Sequence, residues 1–486
     1  MRLSEDAERV IRQLNPWWAD DGAVRPKPPA FRRPLIASLV DRLRRSKGTP
    51  VEIIRGPRQV GKTTGLYQVV EDLLAAGRRG RDILFVRFDL ELLREEASAL
   101  LSILDWFAEL VREAPLDQEP RPVILLDEVH KLPRWDEQVK HIVDTFPVRV
   151  LLTGSSSALV ARGGRESLAG RSFSTELPPF SFREMLECWH PTLAAGLPPR
   201  ISFTDTFDGR LEEWAEAYQQ LEPQQKLSVR RQLERYYTRG GYPRLHSGEV
   251  EDDLWADYIV QTIFENVLGA DIPDLFPVAH PQLLRAVYLE VARRTGQEVS
   301  QNSLAGILNE RGFSTNQPTV GKYLHYLADA LLIREFRRYP LAKKSSARVP
   351  AKITLSDLGV RNAILRGAPS LMESDPTVLG PLVETLVQTV VRDHNLQVHF
   401  FREPESKRRG APVREVDFVA ERVDGEVVPI EVKFRHQVRP ADTKGLEHFM
   451  ERFRPPCGIL VTRDLFATQP LMRLLFVPLE SFLLAF

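Results

Sequence analysis

Apolar positions along this chain fall into successive patterns, and each predicts a different kind of element. From 51 to about 180, short apolar runs at 51–55, 82–89, 122–128, 148–153 and 172–177 alternate with helix-compatible stretches at 65–76 and 97–111. The second of these carries Leu100, Leu101, Leu104, Phe107 and Leu110 at helical spacing. Runs that are apolar on both faces, connected through helices, predict a parallel α/β sheet. Ahead of it, 3–14 reads as an amphipathic helix stopped by Asn15-Pro16-Trp17-Trp18, followed by a proline-rich linker at 25–34 and a helix near 35–45. The first 50 residues thus read as an entry segment, with Trp17 and Trp18 packing on the sheet domain.

Beyond 180 the pattern changes. Residues 181–279 read as helical, with a poorly patterned insertion at 195–230. Helices at 283–294, 303–311 and 319–331, then strands at 332–339 and 352–355, predict a winged helix-turn-helix over 280–356. From 375 to 486, a helix at 379–393, strands at 398–402, 415–421 and 427–434, a helix at 442–453 and a strand at 458–462 describe a second α/β domain.

Composition adds mainly exclusions. The 486 residues leave room for several domains, and 43% apolar with 27% charged residues is ordinary for a globular protein. Basic and acidic residues number 66 each, so no bulk field draws the molecule to nucleic acid, and any basic surface must be local. Cys188 and Cys457 match no metal or redox spacing and suit a reducing compartment. The amino terminus lacks the apolar core of a secretory signal and no run is long enough to span a membrane, so the expected location is the cytoplasm.

The densest chemistry lies at the end of the first strand. Gly56-Pro57-Arg58-Gln59-Val60-Gly61-Lys62-Thr63-Thr64 follows an apolar strand and opens a helix, which is the phosphate-binding loop in its proper context. Gly56 and Gly61 let backbone N–H groups approach phosphate, Lys62 supplies charge, and Thr63 a hydroxyl for Mg²⁺. The apolar strand at 122–126 then ends in Asp127 and Glu128. Asp127 would hold Mg²⁺ through its water shell, and Glu128 would orient and deprotonate an attacking water. Thr153 or Ser155, ending the next strand, would sense the γ-phosphate, or the Gly/Ser turn there simply caps a helix. Arg171 reads either as a phosphate contact, in its own subunit or a neighbour's, or as a surface arginine.

Two basic features follow. The third helix of the winged segment carries Lys322, Tyr323, His325 and Tyr326, and the hairpin carries Arg334, Arg337, Arg338, Lys343, Lys344, Arg348 and Lys352. Such a local positive feature suits phosphates, the alternative being a hinge packed on the nucleotide domain. In the last domain, Glu431 and Lys433 share a strand face, and Asp417 nears them if the strands pair across Asp424-Gly425. Converging carboxylates are costly in a core unless a cation neutralises them, which suits one or two Mg²⁺ ions with Lys433 positioning water or the scissile phosphate.

The segments GPRQVGKTT, VILLDEVHKLP, LLTGSSSAL and SLAGRSF together resemble the AAA+ superfamily, in its archaeal- and bacterial-type group near the STAND signalling ATPases. The resemblance implies strand order 5-1-4-3-2, a helical lid, ATP with Mg²⁺, and a homo-oligomer such as a ring. In it a neighbour's arginine would complete the site, Arg171 first and Arg162 or Arg165 behind it. Gly240-Gly241-Tyr242-Pro243 resembles the lid motif, which implies Pro243 beside adenine. The C-terminal residues resemble the PD-(D/E)XK nucleases, although Val416 stands where the name has proline. That resemblance implies Asp417 and Glu431 as ligands of Mg²⁺ or Mn²⁺, Lys433 as the catalytic lysine and Glu384 as the acid of the first helix. The implied function is a Mg²⁺-dependent ATPase acting on duplex or branched DNA, with a metal-dependent nuclease domain. A regulatory ATPase switch that binds nucleic acid without cutting, and a protein-remodelling ATPase, are the alternatives.

Overall fold

Alternation of buried apolar strands with helices gives the first of two compact units, residues 1–178; the second is 179–486. The computed structural model describes residues 3–19, 24–45, 49–94, 99–155, 168–340, 350–371, 373–391, 396–403 and 414–486. In the first unit, β1 (Val51–Gly56), β2 (Ile83–Arg87), β3 (Val123–Asp127), β4 (Arg149–Ser155) and β5 (Ser172–Glu176) form a parallel sheet. Its order, β2-β3-β4-β1-β5, is the 5-1-4-3-2 arrangement expected from the AAA+ resemblance. Every residue of β3 is buried, as a strand covered on both faces requires. Register sets Ile54 beside Thr153 and Leu126 beside Leu152, so Gly56, Asp127 and Thr153 finish at one end of the sheet.

The entry segment closes the β2 edge. The Asn15 side chain accepts from the Phe85 amide at 2.7 Å and donates to the Phe85 carbonyl at 2.8 Å, while the Trp18 indole donates to Ile83 O at 2.8 Å. Side chains thereby satisfy strand groups that would otherwise face outward. Trp17 is fully buried against the same edge. The helix expected at 97–111 runs as an α-helix only over Ala99–Phe107, then widens into a π-turn at Ala108–Arg112. That turn places Arg112 inward, its Nε 2.9 Å from Asp82 Oδ1, with both side chains fully buried.

The second unit spans the segments expected at 181–279, 280–356 and 375–486. Helices Phe182–Trp189, Arg210–Gln219 and Pro223–Arg239 share a core with the terminal helix Leu479–Ala485. The region expected as a loose insertion at 195–230 is therefore structural: Trp214 and Tyr218 are buried in that core and stack on one another.

The winged topology is present. Helix Pro281–Arg293, β6 (Gln297–Val299), helices Gln301–Glu310 and Gln317–Asp329, then β7 (Ile333–Arg338) and β8 (Ala351–Leu355) follow in order. The C-terminal strands are β9 (Leu396–Arg402), β10 (Glu415–Arg422), β11 (Val427–Lys433), β12 (Gly458–Thr462), β13 (Ala467–Gln469) and β14 (Leu474–Pro478). β7 pairs in parallel with β9, so wing and C-terminal strands make one nine-stranded sheet, β13-β14-β12-β11-β10-β9-β7-β8-β6. The sequence pattern did not foresee this continuity.

Candidate functional site

The phosphate loop is shaped by two glycines. A Cβ on Gly56 would lie 2.3 Å from the Leu177 carbonyl oxygen, so a side chain there would displace backbone. Gly61 holds φ at 95°, a left-handed value glycine adopts without strain, and turns the chain into the helix Lys62–Ala75. The loop therefore ends on the positive pole of a fourteen-residue helix. Lys62 is buried and its Nζ donates to the Gly56 and Pro57 carbonyls, each at 2.9 Å. Thr64 follows in the first turn, half-buried.

Asp127 is the centre of this site and only 1% exposed. Thr63 Oγ1 donates to its Oδ2 at 2.7 Å, and the Thr153 hydroxyl donates to Oδ1. Burial pushes the Asp127 carboxyl above its ordinary value; the hydroxyl bonds and Lys62 pull the other way. A buried carboxylate and a hydroxyl, both hard oxygen donors with a charge deficit, fit Mg²⁺. Glu128 is the next residue, at φ 52°, and this left-handed step turns its side chain away from the buried strand direction. Its carboxylate is partly exposed, 3.5 Å from His130 Nε2, and its N–H donates to Thr153 Oγ1 at 3.3 Å. Thr153 thus ties the two acids together. β4 continues through Ser155.

Other expected residues sit differently. Arg171 lies just before β5, where its carbonyl accepts from Val51 N–H. Val51 and Gly56 are five residue steps apart along β1, roughly 17 Å at strand rise, so within its own unit Arg171 does not reach the phosphate loop. Its guanidinium pairs instead with Asp144 at 2.5 Å. Arg162 and Arg165 lie outside the described residues. Pro243 opens a single 3-10 turn, Pro243–Leu245, in the second unit.

Among the described residues, fewer of these side chains face outward than the sequence suggested. Lys322 and His325 point outward from the third winged helix, but Tyr323 and Tyr326 are buried. Tyr323 Oη accepts from His280 N–H at 3.2 Å, and Tyr326 stacks on Phe276 at 4.1 Å. They are packing residues, because the helix needs an apolar face toward its neighbours. Arg337 is exposed, Arg334 and Arg338 are half-buried, and Arg338 lies 3.6 Å from Glu298. Lys343, Lys344 and Arg348 fall outside the described residues. Lys352 is no surface base: its side chain is 2% exposed.

The C-terminal acids do converge, with Lys352 among them. Lys352 Nζ lies 2.8 Å from Asp417 Oδ1 and 2.6 Å from Glu384 Oε2, the second an ion pair without hydrogen-bond alignment. An irregularity in the β9–β10 register between Val416 and Val419 re-aims Asp417. Asp417 Oδ2 accepts from Val432 N–H at 2.9 Å, and Glu431 Oε2 accepts from Asp417 N–H at 3.2 Å. Lys433 pairs with Glu431 Oε1. Burial pushes Glu431 up to about 8 and Glu384 up to about 7, in each case reinforced by the Asp417 charge. Asp417 is held below its ordinary value because Lys352 and Lys433 outweigh its own desolvation. Sequence reasoning missed this role for Lys352, and a signal existed: three converging acids with only Lys433 among them call for another cation. Among the described residues, no group of three His, Cys, Asp or Glu side chains is arranged to hold a metal ion. Cys188 and Cys457 form no disulfide, and no helix among the described residues is long and apolar enough to cross a membrane.

Residues 48–186 match a family model described as an AAA domain. Residues 230–370 and 379–482 match two models described as domains of unknown function (DUF8612 and DUF4143). An uncharacterized protein of Haemophilus influenzae is 23% identical over 85% of this chain and 88% of its own length. An uncharacterized protein of Methanocaldococcus jannaschii is 23% identical over 93% of this chain and 89% of its own. Among solved structures, the Aeropyrum pernix ORC1 protein in complex with DNA aligns over 72% of this chain and 96% of that one. The identity there is 14% and the TM-score 0.29, too low to carry an argument. With the phosphate loop, the two acids and the 5-1-4-3-2 sheet in place, residues 48–186 are an AAA-type P-loop ATPase core.

Proposed function

We propose that the chain is a Mg²⁺-dependent ATPase of the cytoplasm that couples ATP turnover to holding duplex or branched DNA. The observation that carries the ATPase half is Asp127, buried between the Thr63 and Thr153 hydroxyls with Glu128 beside it. Mg²⁺, when bound with the triphosphate, supplies charge that offsets the transferring phosphoryl group. Lys62 leaves its loop carbonyls for the β/γ-phosphates, Thr63 and Asp127 hold the cation's shell, and Glu128 takes a proton from the attacking water. Thr153 couples the phosphate end of the site to both acids.

The DNA half rests on the winged topology, with Lys322 and His325 facing outward on its third helix and Arg337 exposed on β7. Replacing Lys322 and Arg337 together by Ala is expected to weaken binding of all duplex sequences alike. The slope of log affinity against log salt should flatten by roughly 1.8, about 0.9 for each lost phosphate contact. A fluorescence-anisotropy titration across salt measures it, and an unchanged slope would assign the winged segment to a hinge role. The ATPase half is tested by turnover with and without duplex, forked and single-stranded DNA.

One observation favours the regulatory-switch version, in which the C-terminal domain binds nucleic acid without cutting. Lys352 already pairs with Asp417, one of the two acids to which the nuclease resemblance gives a metal, and with Glu384.

Action as a homo-oligomer, such as a ring, follows if Arg171 serves a neighbouring subunit's site. Arg171→Ala is then expected to keep nucleotide affinity and lose turnover. Mixing it with Glu128→Gln subunits should restore part of the rate, because one mixed interface holds both residues. A mixture with no gain at any ratio would remove Arg171 from the site.

A further inference from the structure

We propose that the Lys352 ammonium is a resident cation occupying the metal position of the C-terminal nuclease-like site, so that this site binds no divalent metal. The inference goes beyond the ATPase and DNA reading and stands whether or not the winged segment binds DNA.

Four observations converge. Nζ lies 2.8 Å from Asp417 Oδ1 and 2.6 Å from Glu384 Oε2, within the space a cation shared by those carboxylates would fill. Metal–oxygen distances of about 2.1 Å leave no room for both cations against the same oxygens. Three further oxygens are engaged as well: Asp417 Oδ2 by Val432 N–H, Glu431 Oε2 by Asp417 N–H, and Glu431 Oε1 by Lys433. Metal ligands would instead turn free lone pairs toward a common point. The Phe418 ring, 5.2 Å from Nζ, adds a face that favours a cation at this position. Finally, three carboxylates face two ammonium groups, so a divalent ion added to the set would overshoot neutrality in a buried site.

The position of Lys352 in the chain explains its fixity. It lies on β8, paired with Glu298 on β6 and Phe336 on β7, so three-stranded pairing holds its backbone while the side chain reaches the acids. The counter-charge of the nuclease-like fold is thus supplied by the winged segment, and that fold is completed from outside its own 375–486 stretch.

The test is Mn²⁺ binding to the nucleotide-free full chain, read by electron paramagnetic resonance, in which bound Mn²⁺ loses its free-ion signal. The Asp127→Asn background silences the ATPase site. In that background the chain is expected to bind no Mn²⁺, and the Lys352→Met variant to gain one site that the further change Asp417→Asn abolishes. The gained site should also raise the melting temperature in Mn²⁺. Asp417-dependent Mn²⁺ binding with Lys352 intact would overturn the proposal. So would a folded Lys352→Met protein that gains no site, or Mg²⁺-dependent DNA cleavage by the wild-type chain lost with Asp417→Asn. Should Lys352→Met fail to fold, the measurement on the chain with Lys352 intact decides alone. Failure of DNA binding would leave the Mn²⁺ outcomes unchanged.

Discussion

Glu128→Gln is expected to bind ATP as the wild type does and to turn it over at least about a hundredfold more slowly. The groups proposed to grip phosphate and cation are Lys62, Thr63 and Asp127, and the substitution leaves the bond between Thr63 and Asp127 in place and does not touch Lys62. The Glu128 N–H bond to Thr153 comes from the backbone and survives as well. What is lost is the ability to accept a proton, since an amide of the same shape is not a base. Lys62→Ala should fail at the other step, losing nucleotide affinity because the phosphate charge is no longer matched. Equilibrium binding of a fluorescent nucleotide, paired with single-turnover hydrolysis, separates the two. A Glu128→Gln protein hydrolysing at the wild-type rate would give the base role to another group.

Arg112→Met is expected to destabilise the first unit by about 3 kcal/mol or more, the usual cost of removing one member of a buried ion pair; Arg79, 2.8 Å from Asp82 Oδ2, stays on the carboxylate. Both side chains of the Arg112–Asp82 pair are fully buried. Arg112 also donates to the carbonyls of Pro115, Gln118 and Pro120, so it pins the turn that leads into β3. Adding Asp82→Leu should recover only part of the loss: it removes a buried carboxylate that keeps only the exposed Arg79 as its ion-pair partner, but leaves those carbonyls without their donor. Urea unfolding of the two variants and the wild type gives the comparison. Full recovery in the double variant would show that the carbonyl contacts contribute nothing.

The ATPase core was legible in the sequence because its signals are local. Strands buried on both faces are unbroken apolar runs, and the loop, the two acids and Thr153 each follow directly from a strand end. Two of the misreadings share one physical cause, a partner far away in the chain. Trp214 and Tyr218 looked unpatterned because the terminal helix Leu479–Ala485 that shares their core lies more than two hundred residues on. Lys352 read as a phosphate contact because its neighbours in sequence are basic; only the β7–β9 pairing brings that strand to Asp417. Tyr323 and Tyr326 looked like contact residues on a recognition helix, yet the 3.6-residue period puts them on its inner face. The π-turn after Phe107 leaves no trace in a pattern read at the α-helical period.

Asn15 has a practical bearing on how the ATPase core can be isolated. A fragment cut at residue 48, where the AAA match begins, would keep the phosphate loop, Asp127, Glu128 and Thr153 and discard the side chain that pairs with Phe85 on both its N–H and its carbonyl. The same cut strips Trp17 and Trp18 from Ile83. Bare parallel strand is an adhesive surface, so such a fragment should self-associate at β2 and precipitate at concentrations where one beginning at residue 3 stays in solution. The minimal soluble ATPase of this protein is therefore about forty-five residues longer at its amino end than its chemistry alone requires.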